Sequence, residues 1–359
     1  MIRTILTLCV LALASPALAA PLTPAQVFAR QTTAVAPHIW LIAKPAVTDP
    51  PFEGNVVVIE QAKGLVLVDA GGAPVSGQAV VAEIRKLSKK PVTWLVYTHY
   101  HGDHNLGAGA IRAVWPGVQI VSSTRTWENM TGPPMAYVAS YAKSYGDLAA
   151  FAAAQAEDVK LPDPLREGWR RTAEAGPAMV EAYSGLEPYP ADLTFESRIT
   201  LPDETAPVEI AYLGRANTDG DVVAWAPKQR VLATGDIVVA PIPYAAHTFP
   251  GDWVEVLRKL KAYDFRVLIP GHGPPQTDRA YLDRLIAALE SVRAQVAPLA
   301  RADLPLEEVR KRVDLEPIRK QFAGDDPWLR YVLAVVFTGD LISNAYKEAR
   351  GETVVQGKG

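Results

Sequence analysis

The segment Val92-Thr93-Trp94-Leu95-Val96-Tyr97-Thr98-His99-Tyr100-His101-Gly102-Asp103-His104 decides the reading of this chain. Its first half is apolar and β-branched, the composition of a buried strand, and its second half gathers three imidazoles and a carboxylate within six residues. Three of the chain's six histidines fall there. Imidazole suits zinc, iron and similar borderline cations, and a carboxylate adds a harder ligand and neutralising charge, so the cluster predicts a metal site. It sits where a strand gives way to a loop, at the edge where α/β sheets place their chemistry.

Working outward, short strands are expected at His38–Ala43, Asn55–Glu60 and Leu65–Val68, separated by turns containing Pro and Gly, followed by a helix over Ser76–Leu87. The pattern returns with strands at Val208–Leu213, Val222–Trp225 and Val231–Thr234, a helix over Asp252–Tyr263 and a strand at Arg266–Ile269. Two strand-rich halves, each with helices, describe a layered sandwich. Between them lies an Ala-, Tyr- and Pro-rich insertion, about residues 124–197, with a helical stretch at Ala136–Gln155. There Tyr137, Tyr141 and Tyr145 share a helical face, with Trp127 and Met130 ahead of them; they read as core or as the lining of a substrate cleft. After residue 275 the chain turns helical, over Arg279–Val296, Leu306–Val313 and Trp328–Arg350. The apolar run Tyr331–Phe337 serves as core or as a face for homo-oligomer formation.

Arg3, the apolar run Ile5–Ala14 and Ala17-Leu18-Ala19 have the layout of a secretory signal peptide over residues 1–19, too short to span a bilayer. The expectation is a periplasmic or secreted protein with no membrane anchor after cleavage. The only cysteine, Cys9, lies in that segment, so disulfides and thiolate ligands are excluded from the mature chain. Among 359 residues, 36 Lys and Arg face 39 Asp and Glu, a formal charge of -3; loss of Arg3 leaves 35 against 39, or -4. No basic run interrupts the chain, which argues against a nucleic-acid partner and for a small-molecule substrate.

The His-x-His-x-Asp-His segment after an apolar strand resembles the signature of the metallo-β-lactamase superfamily, and three further segments follow in that family's order. Leu65-Val66-Leu67-Val68-Asp69 with Gly71-Gly72 looks like its strand ending in Asp. Thr234-Gly235-Asp236 looks like the segment with the metal-bridging carboxylate, and Pro270-Gly271-His272-Gly273 like that with the final histidine. The resemblance covers about residues 38–275 and implies an α+β, four-layer αββα sandwich, carrying here a helical insertion and a helical C-terminal extension. It implies one hydrolase domain over residues 20–275 and two divalent cations, zinc foremost with manganese or iron as alternatives. His99 and His101 would hold the first cation, and Asp103, His104 and His272 the second. Asp236 would bridge the two, and Asp103 would also orient a metal-activated hydroxide.

The chain departs from the pattern in Gly214-Arg215-Ala216-Asn217-Thr218-Asp219-Gly220-Asp221, where Asn217 stands in place of a ligand histidine. Three readings stay open: Asn217 ligates weakly through its oxygen, a water or another side chain replaces it, or only the second site fills tightly. His247 is a candidate substitute ligand or substrate-binding group, or an ordinary loop histidine. Asp69 and Asp221 are candidates to fix ligand imidazoles, or to cap turns. His38, far ahead of the motif, reads as structural. By the same resemblance Asp236 favours ester, thioester, lactone or phosphoester cleavage over a dedicated β-lactamase, which stays the main alternative; an iron-dependent redox member and a non-catalytic binder are the others.

Overall fold

The computed structural model describes residues 21–357. The expected signal peptide lies outside them. Among the described residues twelve strands form two sheets. The first holds seven in chain order, β1 (Gln31–Ala36), β2 (Ile39–Ala43), β3 (Val56–Glu60), β4 (Leu65–Val68), β5 (Val92–Val96), β6 (Gln119–Ser123) and β7 (Leu193–Phe195). The second holds β8 (Arg198–Leu201), β9 (Val208–Tyr212), β10 (Val222–Ala226), β11 (Val231–Ala233) and β12 (Val267–Ile269), in the order β12-β11-β10-β9-β8.

Side-chain alternation explains the layers. All four residues of β4 are buried, because Leu65 and Leu67 point to one face and Val66 and Val68 to the other. The leucines pack with Val80 and Ile84 of the helix Pro74–Leu87 and Ile111 of the helix Ala108–Val114. The valines meet Val208, Ile210, Val222 and Ile269 of the second sheet. That sheet's far face packs on the helices Pro250–Lys261 and Ala280–Arg301 through Trp253, Leu257, Leu285 and Leu289. Helix, sheet, sheet and helix follow in turn, the expected αββα arrangement.

Leu65–Val68 is a strand as expected, and the other expected strands end within a residue or two of their positions. Three helices differ from expectation, and the simplest case is Arg279–Val296, which runs on as Ala280–Arg301. The stretch Ala136–Gln155 begins as a 3-10 helix, Pro133–Ser140, before the α-helix Tyr141–Glu157; prolines at 133 and 134 open the tighter turn. The expected helix Trp328–Arg350 is Pro327–Leu333 and Gly339–Ala349 joined by a π turn at Ala334–Thr338. There the Val336 carbonyl accepts a hydrogen bond from the Ala245 N–H at 2.9 Å, so the widened turn serves a loop far away in sequence. The helices beyond residue 275 share one apolar cluster with the outer helices of the second sheet. No helix of the described residues is long and apolar enough to cross a membrane.

Candidate metal centre

The C-terminal edges of both sheets meet at one place. β4 delivers Asp69, β5 delivers Thr98 and His99, β11 leads into Asp236, β12 into His272, and the β9–β10 loop carries Asn217. The Val222 N–H donates to the Thr98 carbonyl at 2.9 Å and fastens one sheet's edge to the other.

Four side chains converge on one point. His104 Nε2 lies 3.2 Å from His272 Nε2, 3.3 Å from Asp103 Oδ2 and 3.1 Å from Asp236 Oδ1. His272 Nε2 lies 3.0 Å from Asp103 Oδ2 and 3.5 Å from Asp236 Oδ1. Ligand bonds of about 2.1 Å at tetrahedral angles place neighbouring ligand atoms about 3.4 Å apart, so this cage fits a divalent cation. The other Asp236 oxygen, Oδ2, faces His99 Nε2 at 3.7 Å. One carboxylate thus presents an oxygen to each of two ligand groups, as a bridging ligand must. His101 stands beside His99, ring centroids 4.6 Å apart. The buried Nε2 atoms of His99 and His101, the Asn217 Oδ1 and the Asp236 Oδ1 find no hydrogen-bond partner among the described residues. Buried polar atoms are rarely left so, and a cation is the partner their chemistry suits.

The charge balance points the same way. Burial opposes a charge on His104, yet Asp103, Asp236 and Asp69 outweigh it and hold this imidazole well above its ordinary range. Burial opposes ionisation of Asp103 too, and His104 and His272 outweigh it, keeping its carboxyl well below the usual range. Around His99 and His101, burial pushes both imidazoles well below their ordinary value, so they are neutral with lone pairs available.

Asp69 reaches two of the candidate ligands, one of them through Thr98. Its Oδ2 faces His104 Nδ1 at 2.8 Å, so that nitrogen donates and Nε2 is left for the cation. Asp69 also accepts from the Thr98 N–H and hydroxyl, both at 2.8 Å, and the Thr98 oxygen lies 2.9 Å from His99 Nδ1, which fixes the second imidazole the same way. Asp221 acts on the loop instead: its oxygens accept from the Thr218 N–H at 2.6 Å and hydroxyl at 2.9 Å, while burial pushes its carboxyl up to about 8. The turn reading describes these contacts. Asn217 is fully buried and donates through Nδ2 to the Tyr244 carbonyl at 3.2 Å. His247 lies half-buried beside the site, its ring 5.9 Å from that of His101. His38 is exposed and pairs with Glu60 at 3.0 Å, the structural role expected of it.

The positions of the loops depend on residues with no local signal in the sequence. Asn55 donates to the carbonyls of Pro270 and Gly273, both at 2.9 Å, and so grips the turn bearing His272 across more than 200 residues. Glu53 and Arg30 form a fully buried ion pair, with Ser76 donating to Glu53 at 2.6 Å and Arg30 to the Gly54 carbonyl at 2.8 Å. That pair supports Gly54, where a Cβ would lie 2.6 Å from His104, and Gly72, where one would lie 2.9 Å from the Asp103 Cα. A cavity of about 410 Å³ opens over His101, Asp103, Asp236 and His272, and Tyr137, Tyr141, Tyr145 and His247 also line it. The tyrosines therefore line a cleft while packing together and on Tyr183.

Residues 49–272 match the family model of the metallo-β-lactamase superfamily, and the chain belongs to that superfamily. It is 26% identical over 296 residues, 76% of its length and 52% of the relative's, to the linear primary-alkylsulfatase of Pseudomonas sp. (strain ATCC 19151). It is 22% identical over 225 residues, 61% of its length and 66% of the relative's, to the metallo-β-lactamase type 2 of Bacillus sp. (strain 170). The chain thus spans between about half and two thirds of the length of these relatives. Among solved structures, a double mutant of the sec-alkyl sulfatase PisA1 superposes with a TM-score of 0.61 at 18% identity, over 89% of this chain and 50% of that one. A metallo-β-lactamase from Pontibacter korlensis superposes with 0.51 at 20%, over 73% and 99%. The protein accordingly has the metallo-β-lactamase fold and comes from a superfamily that binds divalent metals.

Because Asp69 holds His104 and, through Thr98, His99, Asp69→Ala is expected to weaken zinc binding by about 10- to 100-fold in competition with a chromophoric chelator. Asn217→His supplies an imidazole at the first group of ligands and is expected to tighten binding there by more than about tenfold; equal affinity before and after would show that Asn217 does not face a cation. Since the three carboxylates keep His104 protonated in the metal-free protein, zinc must displace that proton. Calorimetric titration in buffers of different ionisation enthalpy should show net proton release at neutral pH, and affinity should fall as pH drops.

Proposed function

We propose that this hydrolase cleaves a neutral ester-type bond, a carboxylic ester, thioester or lactone, of a small molecule with an apolar arm. The observation that carries the reading is the composition of the cavity over the metal centre. Beyond the ligands its walls include Val47, Phe52, Ile242, Val332 and Val336 with four tyrosines, and no Lys or Arg lines it among the described residues. A permanently anionic substrate, a sulfate monoester or the carboxylate of a β-lactam antibiotic, is ordinarily met by Arg or Lys. A neutral acyl group needs neither.

Two divalent cations, one at His104, Asp103 and His272 and one at His99 and His101, would supply the charge that makes water nucleophilic at neutral pH and offsets charge on the departing oxygen. The residues of the chain do the positioning. Asp103 keeps 23% of its side chain exposed towards the cavity, more than His104 or Asp236, and is the carboxylate placed to orient the attacking water and take its proton. Tyr137 accepts from the Gly102 N–H at 3.0 Å and so fixes the turn on which Asp103 rides. Burial pushes the Tyr137 hydroxyl up to about 12, so it stays neutral at working pH.

Sulfate ester cleavage is the second reading, favoured by the relative named a linear primary-alkylsulfatase and by the apolar walls, which suit an alkyl chain equally. For location we propose the periplasm or the exterior, on the strength of Arg3, Ile5–Ala14 and Ala17-Leu18-Ala19.

Zinc-reconstituted protein should be assayed on p-nitrophenyl butyrate and octanoate, an acyl thioester, an acyl lactone, dodecyl sulfate and a chromogenic cephalosporin. The neutral acyl substrates are expected to exceed the two anionic ones in kcat/KM by at least about a hundredfold, and Asp103→Ala to lose about 100- to 10,000-fold in kcat with an unchanged circular dichroism spectrum. Preference for dodecyl sulfate would overturn the neutral-ester reading in favour of the second.

A further inference from the structure

After the helix Gly339–Ala349 the chain turns back to the cavity, where Val354 and Gln356 are buried and Gly357 becomes part of the lining. Two hydrogen bonds and one close approach set this short segment against three separate parts of the site. The Gly357 N–H donates at 3.1 Å to the hydroxyl of Tyr100, the residue between the imidazoles of His99 and His101. Gln356 Nε2 donates at 3.0 Å to the His247 carbonyl. Gly357 has φ +70°, and a Cβ there would lie 2.4 Å from the Cα and carbonyl oxygen of Pro134, at the start of the 3-10 helix of the insertion. Both conformation and space therefore require glycine at this position.

We propose that residues 354–357 form the outer wall of the substrate cavity and set the length of the apolar group it admits, with Gly357 as a specificity-determining residue and Gln356 positioning the His247 loop. The proposal rests on the reading of this cavity as the substrate site. Val336 lines the cavity by its side chain and holds the same loop through its carbonyl, which accepts from the Ala245 N–H at 2.9 Å; Asn344 donates to the Ala245 carbonyl at 2.9 Å. Three successive parts of the C-terminal region thus brace one wall: the π turn, the last helix and the segment after it. An acyl group anchored by its carbonyl at the metal centre gains contact with each added methylene until it meets that wall. Beyond it, further methylenes stay in water and gain nothing.

Straight-chain carboxylates from acetate to dodecanoate, titrated calorimetrically into the zinc-loaded full chain, read the wall without any turnover. Affinity is expected to rise roughly fourfold per methylene and then level off. In Gly357→Ala and Gly357→Val the added carbon meets Pro134, so the segment is expected to lift. The plateau should then move out by at least two methylenes while the shortest acids bind within twofold of wild type. Hydrogen exchange in peptides covering 352–357 should speed at least tenfold. In Gln356→Ala, exchange should rise in the 241–249 loop while metal content is kept. A plateau unmoved in both Gly357 variants overturns the proposal, as does exchange of 352–357 in the wild type at the rate of a free peptide. Loss of all ester turnover alongside a moved plateau would instead overturn the proposed reaction and leave the wall standing.

Discussion

The constraint on which the site depends is the gathering of three carboxylates, Asp69 and Asp236 buried and Asp103 partly so, around His104, an imidazole with no solvent exposure. So much negative charge cannot be taken from water without compensation. In the protein alone the carboxylates hold the His104 imidazole well above its ordinary range, and a divalent cation offers a larger compensation. Asp236 is central because its two oxygens divide between the two ligand groups. Its place is in turn forced by Gly235, at φ +50°, and by Gly271, where a Cβ would lie 2.0 Å from Asp236 Oδ1. A side chain at either glycine would therefore be read directly at the metal centre.

Rigid edges make that crowding possible. The ligands ride on turns, but each turn begins at the end of a buried strand and is tied to a neighbour: the Asp69 N–H to the Val96 carbonyl at 2.8 Å, the Thr234 N–H to the Ile269 carbonyl at 3.0 Å, the Asn55 N–H to the Gly271 carbonyl at 2.6 Å. The Arg30–Glu53 pair beneath is fully buried, and such pairs are costly to break because the survivor is left unpaired, about 3–5 kcal/mol. Its worth here lies in fixing the two glycine turns against His104 and Asp103, a positional role more than a stabilising one.

What could be read from the sequence follows the range of the interactions involved. The period of Leu65–Val68 and the spacing of His99 to His104 are local, and both correspond to what the fold contains. Asp69 reads in sequence as a turn residue or as support for a ligand, and the structure gives it φ +66° at the strand end with its carboxylate on His104. Asp221 looked the same in sequence, yet its partner is Thr218, because the direction of a carboxylate in a turn depends on packing. Asn55, Glu53 and Gly357 act on residues far along the chain, and no periodicity or motif marks them. The break in the last long helix escaped for the same reason: Val335, Val336 and Phe337 keep a helical composition, and the π turn answers to Ala245.

The two ligand groups are unequal, and the inequality sets how the site must work. The group of His104, Asp103 and His272 is complete, charged and braced by Asp69. The group of His99 and His101 has neutral imidazoles, shares Asp236, and has an amide, Asn217, held through its nitrogen by the Tyr244 carbonyl. That hydrogen bond fixes which end of the amide is spoken for and leaves Oδ1 as the only atom with which Asn217 can serve a cation. An amide oxygen donates less strongly to zinc than an imidazole does. A cation held there would keep more of its charge for whatever faces the cavity, and would also leave more readily. The His247 loop, braced by the C-terminal region, stands on this weaker side. Lability would therefore be concentrated where the chain departs from its family, and the side that matches the family would supply the permanent scaffold.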